Sequence, residues 1–252
     1  MQVQLSAVII TFNEEKNIER CVLSAQKVAD EVIVLDSFST DKTMAICEAL
    51  NVKVYQHKWL GYADQKNLAN KHASNDYILS LDADEALSAE LEAELLTLKK
   101  NGFSGVYRFN RLTNYCGTWV RHTSWYPDAK VRIFNRKTCH WSGSIHEELV
   151  CKNENLTHIK GDLLHYSFYT REQHLAQIEK FSSIAANDLH LKSRSIGKAG
   201  LYSKVVARFV KNYLLKRGFL DGKAGFDVSR YSAYATYLRY SKLRELNKNK
   251  SA

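Results

Sequence analysis

Apolar residues in the first hundred positions come in short, β-branched runs separated by stretches with helical spacing. Leu5 to Thr11 is a continuous run suited to a strand covered on both faces, and Asn13-Glu14-Glu15 then offers an N-cap with two acids in a first helical turn. Glu31 to Asp36 repeats the strand pattern, followed by Ser37-Phe38-Ser39-Thr40-Asp41 and an apolar-periodic helix through Leu50. A third short strand is expected over Val52 to Gln56, a helix over Asp64 to Ala73 and a fourth strand over Asp76 to Leu81. Ser88 can cap a helix that runs to Lys100 and stops at Gly102. Strands alternating with helices imply a mostly parallel sheet with helices on both faces.

The pattern changes twice further on. Residues 103–168 read as short, aromatic-rich strands (Val106 to Asn110, Lys130 to Phe134, Ile145 to Cys151), the signature of an antiparallel extension. From about Thr170 the chain is helical, basic and rich in tyrosine. With one proline and no flexible linker or repeat, the expected division rests on these changes: a domain over 1–169, itself split at 102/103, and a helical region over 170–252.

Charge sharpens that division. The formal net charge is +9, yet residues 1–170 carry 19 basic and 21 acidic side chains, while residues 171–252 carry 17 and 6, a net of +11. In LYSKVVARFVKNYLLKR, Leu201, Val205, Phe209 and Tyr213 fall four apart, Tyr202, Val206, Val210 and Leu214 form the adjacent row, and Lys204, Arg208 and Lys211 lie opposite. An amphipathic helix with a cationic side suits an anionic membrane surface as well as packing on the rest of the chain. No apolar run approaches the roughly 20 residues needed to cross a bilayer. The N-terminus lacks a charged leader with a small-residue cleavage site, so a cytoplasmic protein is expected. Five scattered cysteines, odd in number and without a CxxC pair, read as ordinary thiols.

In open α/β sheets ligands bind outside the carboxyl ends of the strands, which places Thr11, Asn13, Glu14, Asp36, Asp82 and Asp84 along one rim. Asp82-Ala83-Asp84 follows its strand at once. If the chain leaves that strand in a turn, both aspartates can reach one hard divalent cation, Mg²⁺ or Mn²⁺, shared with substrate phosphates. Taken alone, an Asp-x-Asp also serves as a solvated turn.

The succession AVIITFNEEKNI, EVIVLDSFSTDKT, ADQKNLA and YILSLDADE resembles the family 2 inverting glycosyltransferases of the GT-A fold. The likeness continues through WYPDAKVRIFNRK, WSGSIHEEL, LLHYSFYT and GFLDGKAGF, and is closest to the bacterial subgroup of β-1,4-glucosyltransferases that build the inner core of lipopolysaccharide. The resemblance implies a nucleotide-diphospho-sugar transferase fold, a mostly parallel Rossmann-like sheet with a small antiparallel extension, followed by a basic amphipathic helical segment. It makes residues 1–102 the nucleotide-sugar-binding half and 103–169 the acceptor-side half. Thr11, Asn13 and Glu14 would line the base and ribose, Asp36 would accept from the uracil or ribose, and Lys66 and Asn67 would sit near the base or diphosphate. Asp82 would bind ribose or metal, Ala83 would lie in the same donor site, and Asp84 would bind the metal; Asp41 is read instead as a helix cap. Arg132 and Lys130 would steady the diphosphate or an anionic acceptor, and Trp125, Tyr126 and Trp141 would stack on sugars or fill the core. His165 is either a further metal ligand or a core residue.

An inverting transfer needs a base for the acceptor hydroxyl. Ile145-His146-Glu147-Glu148 stands where the family carries an acidic motif, so Glu147 and Glu148 are both candidates. In a strand only one of them can face the substrate, and Glu147 is preferred. The expected partners are a UDP-glucose donor, a lipid-linked saccharide acceptor and an anionic membrane surface. The expected site of action is the inner face of the bacterial inner membrane, with another nucleotide sugar or another surface glycan as the alternative. Nucleic-acid binding is not expected, because no reader motif is present and Tyr231, Tyr234 and Tyr237 stand at helix-packing spacing. A sugar nucleotidyltransferase would show a glycine-rich basic loop where FNEEKN stands.

Overall fold

The structure is a computed structural model that describes residues 3–143, 147–152 and 154–249. Its first half alternates β1 (Leu5–Thr11), α1 (Ile18–Gln26), β2 (Glu31–Asp36), α2 (Thr43–Ala49), β3 (Lys53–Gln56), α3 (Tyr62–Lys71), β4 (Tyr77–Asp82), β5 (Glu85–Leu87) and α4 (Ala89–Asn101). Strands β6 (Val106–Tyr115), β7 (Thr118–Val120), β8 (Ala129–Asn135), β9 (Cys139–Ser142), β10 (Glu148–Cys151) and β11 (Leu156–Phe168) follow. Helices α5 (Arg171–Leu191), α6 (Lys198–Val210) and α7 (Gly222–Asn249) close the chain.

Among the described residues one nine-stranded sheet runs β3-β2-β1-β4-β8-β6-β11-β5, with β7 paired to β6 off that path. Strands β3, β2, β1 and β4 are parallel, whereas β8 is antiparallel to both β4 and β6. The expected fold class, a parallel sheet with an antiparallel extension and a helical C-terminal segment, is what the chain adopts. Two compact units divide it: Met1–Arg111 with Asp128–Tyr166, and Leu112–Pro127 with Ser167–Ala252. Residues 112–127 thus group with the helices, where a division at 169/170 had been expected.

In the first unit, alternation along each strand feeds two cores. Leu5, Ala7 and Ile9 face Ile18, Val22, Leu91 and Leu95 of α1 and α4, whereas Val8 and Ile10 face Ala63 and Ala69 of α3. Each fully buried Leu or Ile contributes roughly 1.5–3 kcal/mol, which fixes the register and hence which strand ends meet. Helix α4 is capped as expected, with Ser88 Oγ accepting from Leu91 N at 3.2 Å and Gly102 at φ +86°. Gly161 has φ +87°, and a Cβ there would lie 2.5 Å from Leu91 N, so the long strand β11 crosses the start of α4 only because this residue has no side chain.

Three expectations are corrected. Asn13 does not cap the first helix, which begins at Ile18; it is left-handed, with φ +54°, and joins two loops instead. Strand β11 spans 13 residues over a stretch for which no strand was expected, because its polar exposed face hides the alternation. Cys139 and Cys151 are not free thiols: they are register partners across the β9–β10 hairpin, with Cα atoms 4.2 Å apart, and form a disulfide. Their 12-residue separation gave no pairing signal while β9 was unrecognised. Of the expected strand 145–151, residues 145 and 146 lie outside the described residues.

In the second unit α5 begins with a capping box between Thr170 and Gln173, and α5 and α6 both pack on α7. Its core joins Tyr115, Val120 and Phe168 to Ala224 and Val228. Trp125 packs there beside Phe168 and Tyr115, so it serves as core rather than as a sugar platform. His174 is 5% exposed among Tyr115, Trp125, Phe168 and Tyr231, and burial pulls its pKa down to about 4 despite the charge of Asp227. Since the unfolded imidazole binds its proton first, stability is intact above about pH 6.5 and falls as the pH drops toward 4. His174→Gln should remove about 2–3 kcal/mol of the acid destabilisation between pH 7.5 and 4.5, read by urea unfolding at both values.

Candidate active site

The parallel registers bring the predicted rim together. Thr11 pairs with Asp36, and Ile10 with Asp82, so β1, β2 and β4 end at one level. The crevice opens where β1 is flanked by β2 on one side and β4 on the other, the switch point of the sheet. Loop-to-loop bonds set the first wall. Asn13 N donates to Ser39 Oγ at 2.8 Å, Thr40 N donates to Asn13 Oδ1 at 2.8 Å, and Glu14 N donates to Thr43 Oγ1 at 2.8 Å. Asp36 is fully buried and accepts from Ser39 N at 2.9 Å and Gln56 Nε2 at 3.0 Å, which places its carboxylate inside the turn rather than at its surface. Asp41 accepts from Thr43 N at 2.9 Å, as a helix-start residue should. Thr11 is buried with its hydroxyl unpartnered.

An alternating file of charges runs through the site. Lys66 Nζ lies 3.1 Å from both Glu147 Oε1 and Asp82 Oδ1. Asp82 Oδ2 meets Arg132 at 2.9 Å, Arg132 meets Glu85, and Arg111 lies 3.6 Å from Glu85 and 2.9 Å from Asp128, which pairs with Lys130 at 3.0 Å. Lys66, Arg132 and Glu85 are almost completely buried. Lys66 is turned inward because it shares the apolar face of α3 with Ala63 and Ala69, and its ammonium sits 4.8 Å from the ring of Trp141. Burial pushes the Asp82 carboxyl up, but Lys66 and Arg132 outweigh it and hold it well below the usual carboxylate range. Glu85 also accepts from Asp82 N at 3.1 Å and so closes the turn that follows β4.

That turn presents Asp84. Strand β5 pairs antiparallel with β11, placing His165 opposite Glu85, and Tyr166 N donates to Asp84 O at 2.9 Å. As a result His165 Nε2 lies 3.2 Å from Asp84 Oδ2, and both side chains keep partial solvent access. Glu14 faces the same acids: burial pushes its carboxyl up, Asn17 Nδ2 at 2.7 Å pulls it down, and the charges of Asp84 and Asp41 push it up again.

Several predicted residues are engaged by partners within the fold. Asn67 forms paired bonds to the Trp141 backbone at 2.8 and 2.9 Å and so anchors β9, while Ala83 is buried in the core. Arg132 is no free anion hook, being locked between Asp82 and Glu85, and Trp141 is buried against Phe134. Glu148 is exposed on β10, whereas Glu147 turns to Lys66. Lys204 and Lys211 are exposed and Arg208 half-buried, all in the other unit. Sequence reasoning missed Glu85, although a glutamate directly after Asp-x-Asp followed by Ala-Leu fits a buried partner for Arg132. It also missed Tyr62, whose hydroxyl is pushed up by burial and by the charges of Asp82, Glu147 and Asp84, and which packs edge-on against exposed Trp59 at 4.8 Å.

The glycosyl transferase family 2 model matches residues 6–163, and the chain belongs to that family. It is similar to an uncharacterized glycosyltransferase of Rickettsia bellii, at 34% identity over 97% of this chain and 87% of the relative. It is also similar to the lipopolysaccharide core biosynthesis glycosyltransferase LpsC of Rhizobium meliloti, at 26% identity over 95% and 91%. Among solved structures, Staphylococcus aureus TarS 1–349 in complex with UDP-GlcNAc aligns over 99% of this chain and 92% of that chain, at 16% identity and a TM-score of 0.48.

Removing Arg132 leaves buried Glu85 with Arg111 alone, at 3.6 Å, and Asp82 with Lys66 alone. Arg132→Met should cost about 3–5 kcal/mol in denaturant unfolding, and adding Glu85→Leu should recover part of that loss.

Proposed function

We propose that this glycosyltransferase transfers a hexose, glucose from UDP-glucose, to a heptose of the lipopolysaccharide inner core by a metal-assisted inverting displacement. The observation that carries the reading is the pairing of Asp84 with His165 at 3.2 Å on the turn after β4, whose Asp82 shares Lys66 with Glu147. The acceptor class is supported by the similarity to the lipopolysaccharide core enzyme of Rhizobium meliloti, and the choice of glucose and heptose by the subgroup resemblance of residues 125–137, 141–149, 163–170 and 218–226.

Asp84 and His165 suit a divalent cation of the Mg²⁺ or Mn²⁺ class, since one carboxylate and one imidazole meet with room for substrate oxygens. Among the described residues no group of three or more such ligands gathers. When bound, it supplies charge neutralisation for the departing diphosphate. Asp82, held by Lys66 and Arg132, is better placed for the ribose than for the metal. Thr11, Asn13 and Glu14 shape the base end of the crevice, and Tyr62 and Trp59 offer exposed rings at its mouth.

In the transfer the acceptor oxygen bonds to the anomeric carbon while the bond to the diphosphate breaks, and the hydroxyl proton passes to Glu147. Lys66 holds that carboxylate and Asp82 in one frame, so acceptor-side and donor-side groups are aligned together. The second unit docks the enzyme on the anionic inner face of the membrane, where a lipid-linked acceptor resides. No helix among the described residues is long and apolar enough to cross a membrane.

Asp84→Asn should abolish the Mn²⁺-dependent part of UDP affinity in calorimetry; unchanged affinity would sink the metal assignment. Glu147→Gln should keep donor binding and lower transfer at least about 100-fold, while Glu148→Gln stays near wild type in the same UDP-release assay.

A further inference from the structure

Along the C-terminal helices the exposed acids Glu172, Glu179, Asp188 and Glu245 lie outside residues 189–244. Between Leu189 and Arg244 the sequence has thirteen lysines and arginines and two acids, Asp221 and Asp227. Asp221 has a 5% exposed side chain and takes the backbone N–H and the ring of His122, each at 2.8 Å. Asp227 is equally buried and is held by Arg171 at 2.6 Å and Arg230 at 3.2 Å. The stretch therefore offers solvent cations and no accessible carboxylate.

The same stretch exposes an apolar tip. Helix α6 widens into a π-helical turn over Lys211–Leu215, and a short 3-10 turn follows over Gly218–Asp221. Asn212 is buried and accepts from Ser124 Oγ at 2.6 Å, and Gly218 is buried because a Cβ would lie 2.8 Å from Asn212 O. With these two residues anchored, the side chains between and just beyond them point outward: Leu214 is 54% exposed, Leu215 74%, Phe219 47% and Leu220 57%. Behind them Tyr213 packs against Phe209, Phe219 and Phe226 with centroids 5.3 to 6.2 Å apart, a rigid base for the tip. Exposed Lys211, Lys216 and Arg217 are interleaved with the leucines.

Large apolar side chains concentrated on one exposed tip mark an interaction site. The surrounding charge selects the occupant. A second copy of this chain would set one strongly basic surface against another, and a nucleic acid has no use for four aliphatic and aromatic tips. An anionic bilayer meets both features, since apolar side chains enter the boundary between headgroups and acyl chains while cations bind the headgroups. We propose that residues 211–220 form a membrane-insertion plug, in which Leu214, Leu215, Phe219 and Leu220 enter the interface of an anionic lipid surface and Lys211, Lys216 and Arg217 bind its headgroups. The inference rests on the membrane-docking part of the function proposed above and is independent of its donor and acceptor. It moves the principal contact from the cationic side of α6 to the turn that ends it.

The test uses the full chain with vesicles of phosphatidylcholine alone or with 30 mol% phosphatidylglycerol, about the anionic content of a natural interface. Wild type should co-sediment with the anionic vesicles and keep part of that binding in high salt. Leu214→Ser with Leu215→Ser should lower partitioning at least about tenfold, with the remainder abolished by salt. A Leu215→Trp variant should gain tryptophan quenching by brominated lipid relative to wild type, with Mn²⁺-dependent UDP binding retained in every variant as the check of folding. Wild-type binding to anionic vesicles without quenching at Leu215→Trp, or with an unaffected double-serine variant, would overturn the plug while leaving electrostatic docking in place. No vesicle binding by wild type would overturn docking and plug together, leaving transfer to a soluble acceptor standing. A dimer that the serine variant makes monomeric would reassign the tip to self-association and overturn the proposal.

Discussion

Lys66 is the one cation on which the site depends. It is almost wholly buried, and a lone ammonium in such a place is costly; here two carboxylates, Asp82 and Glu147, and the face of Trp141 compensate it. From this centre the alternation continues through Arg132, Glu85, Arg111 and Asp128. Every member is satisfied only while its neighbours are present, so the end of β4, the body of β8 and the loop before β10 hold one arrangement. A hydrophobic core alone would fix the strands and leave the functional carboxylates free to choose rotamers.

The polarity of the two units follows from the same economy of charge. In the first, acids are gathered at strand ends and balanced by buried cations, leaving Asp84 and His165 as a partly accessible pair. In the second, between Leu189 and Arg244, the two acids Asp221 and Asp227 are buried partners while Lys204, Lys211, Lys216 and Arg217 face solvent. One chain thus carries clustered strand-end acids in one unit and a cationic, apolar-tipped surface in the other.

The parallel half of the fold was legible in the sequence because fully buried strands are continuous apolar runs and the helices between them carry their own stops, as at Ser88 and Gly102. Strand-end placement was legible too, since it needs only strand order, and it put Thr11, Asp36 and Asp82 at one level. Partnerships were not. Asp36 turned inward to Ser39 and Gln56, Asn67 toward the Trp141 backbone, and Arg132 toward Glu85, because each choice depends on side-chain directions that pairing between distant segments decides. The Cys139–Cys151 bridge stayed hidden for the same reason, as did the exposure of Leu214 and Leu215, which a regular helix would have distributed around its surface.

The central claim is that Lys66 couples the strand-end aspartate and the glutamate before β10 into one electrostatic unit. A double-mutant cycle on the free energy of unfolding, with Lys66→Met, Asp82→Asn and the combined variant, measures this directly. The account predicts strong non-additivity, a coupling of about 1–3 kcal/mol, because either single change strands a charge that the double change removes. Additive losses would contradict it and reduce the file of charges to independent surface pairs.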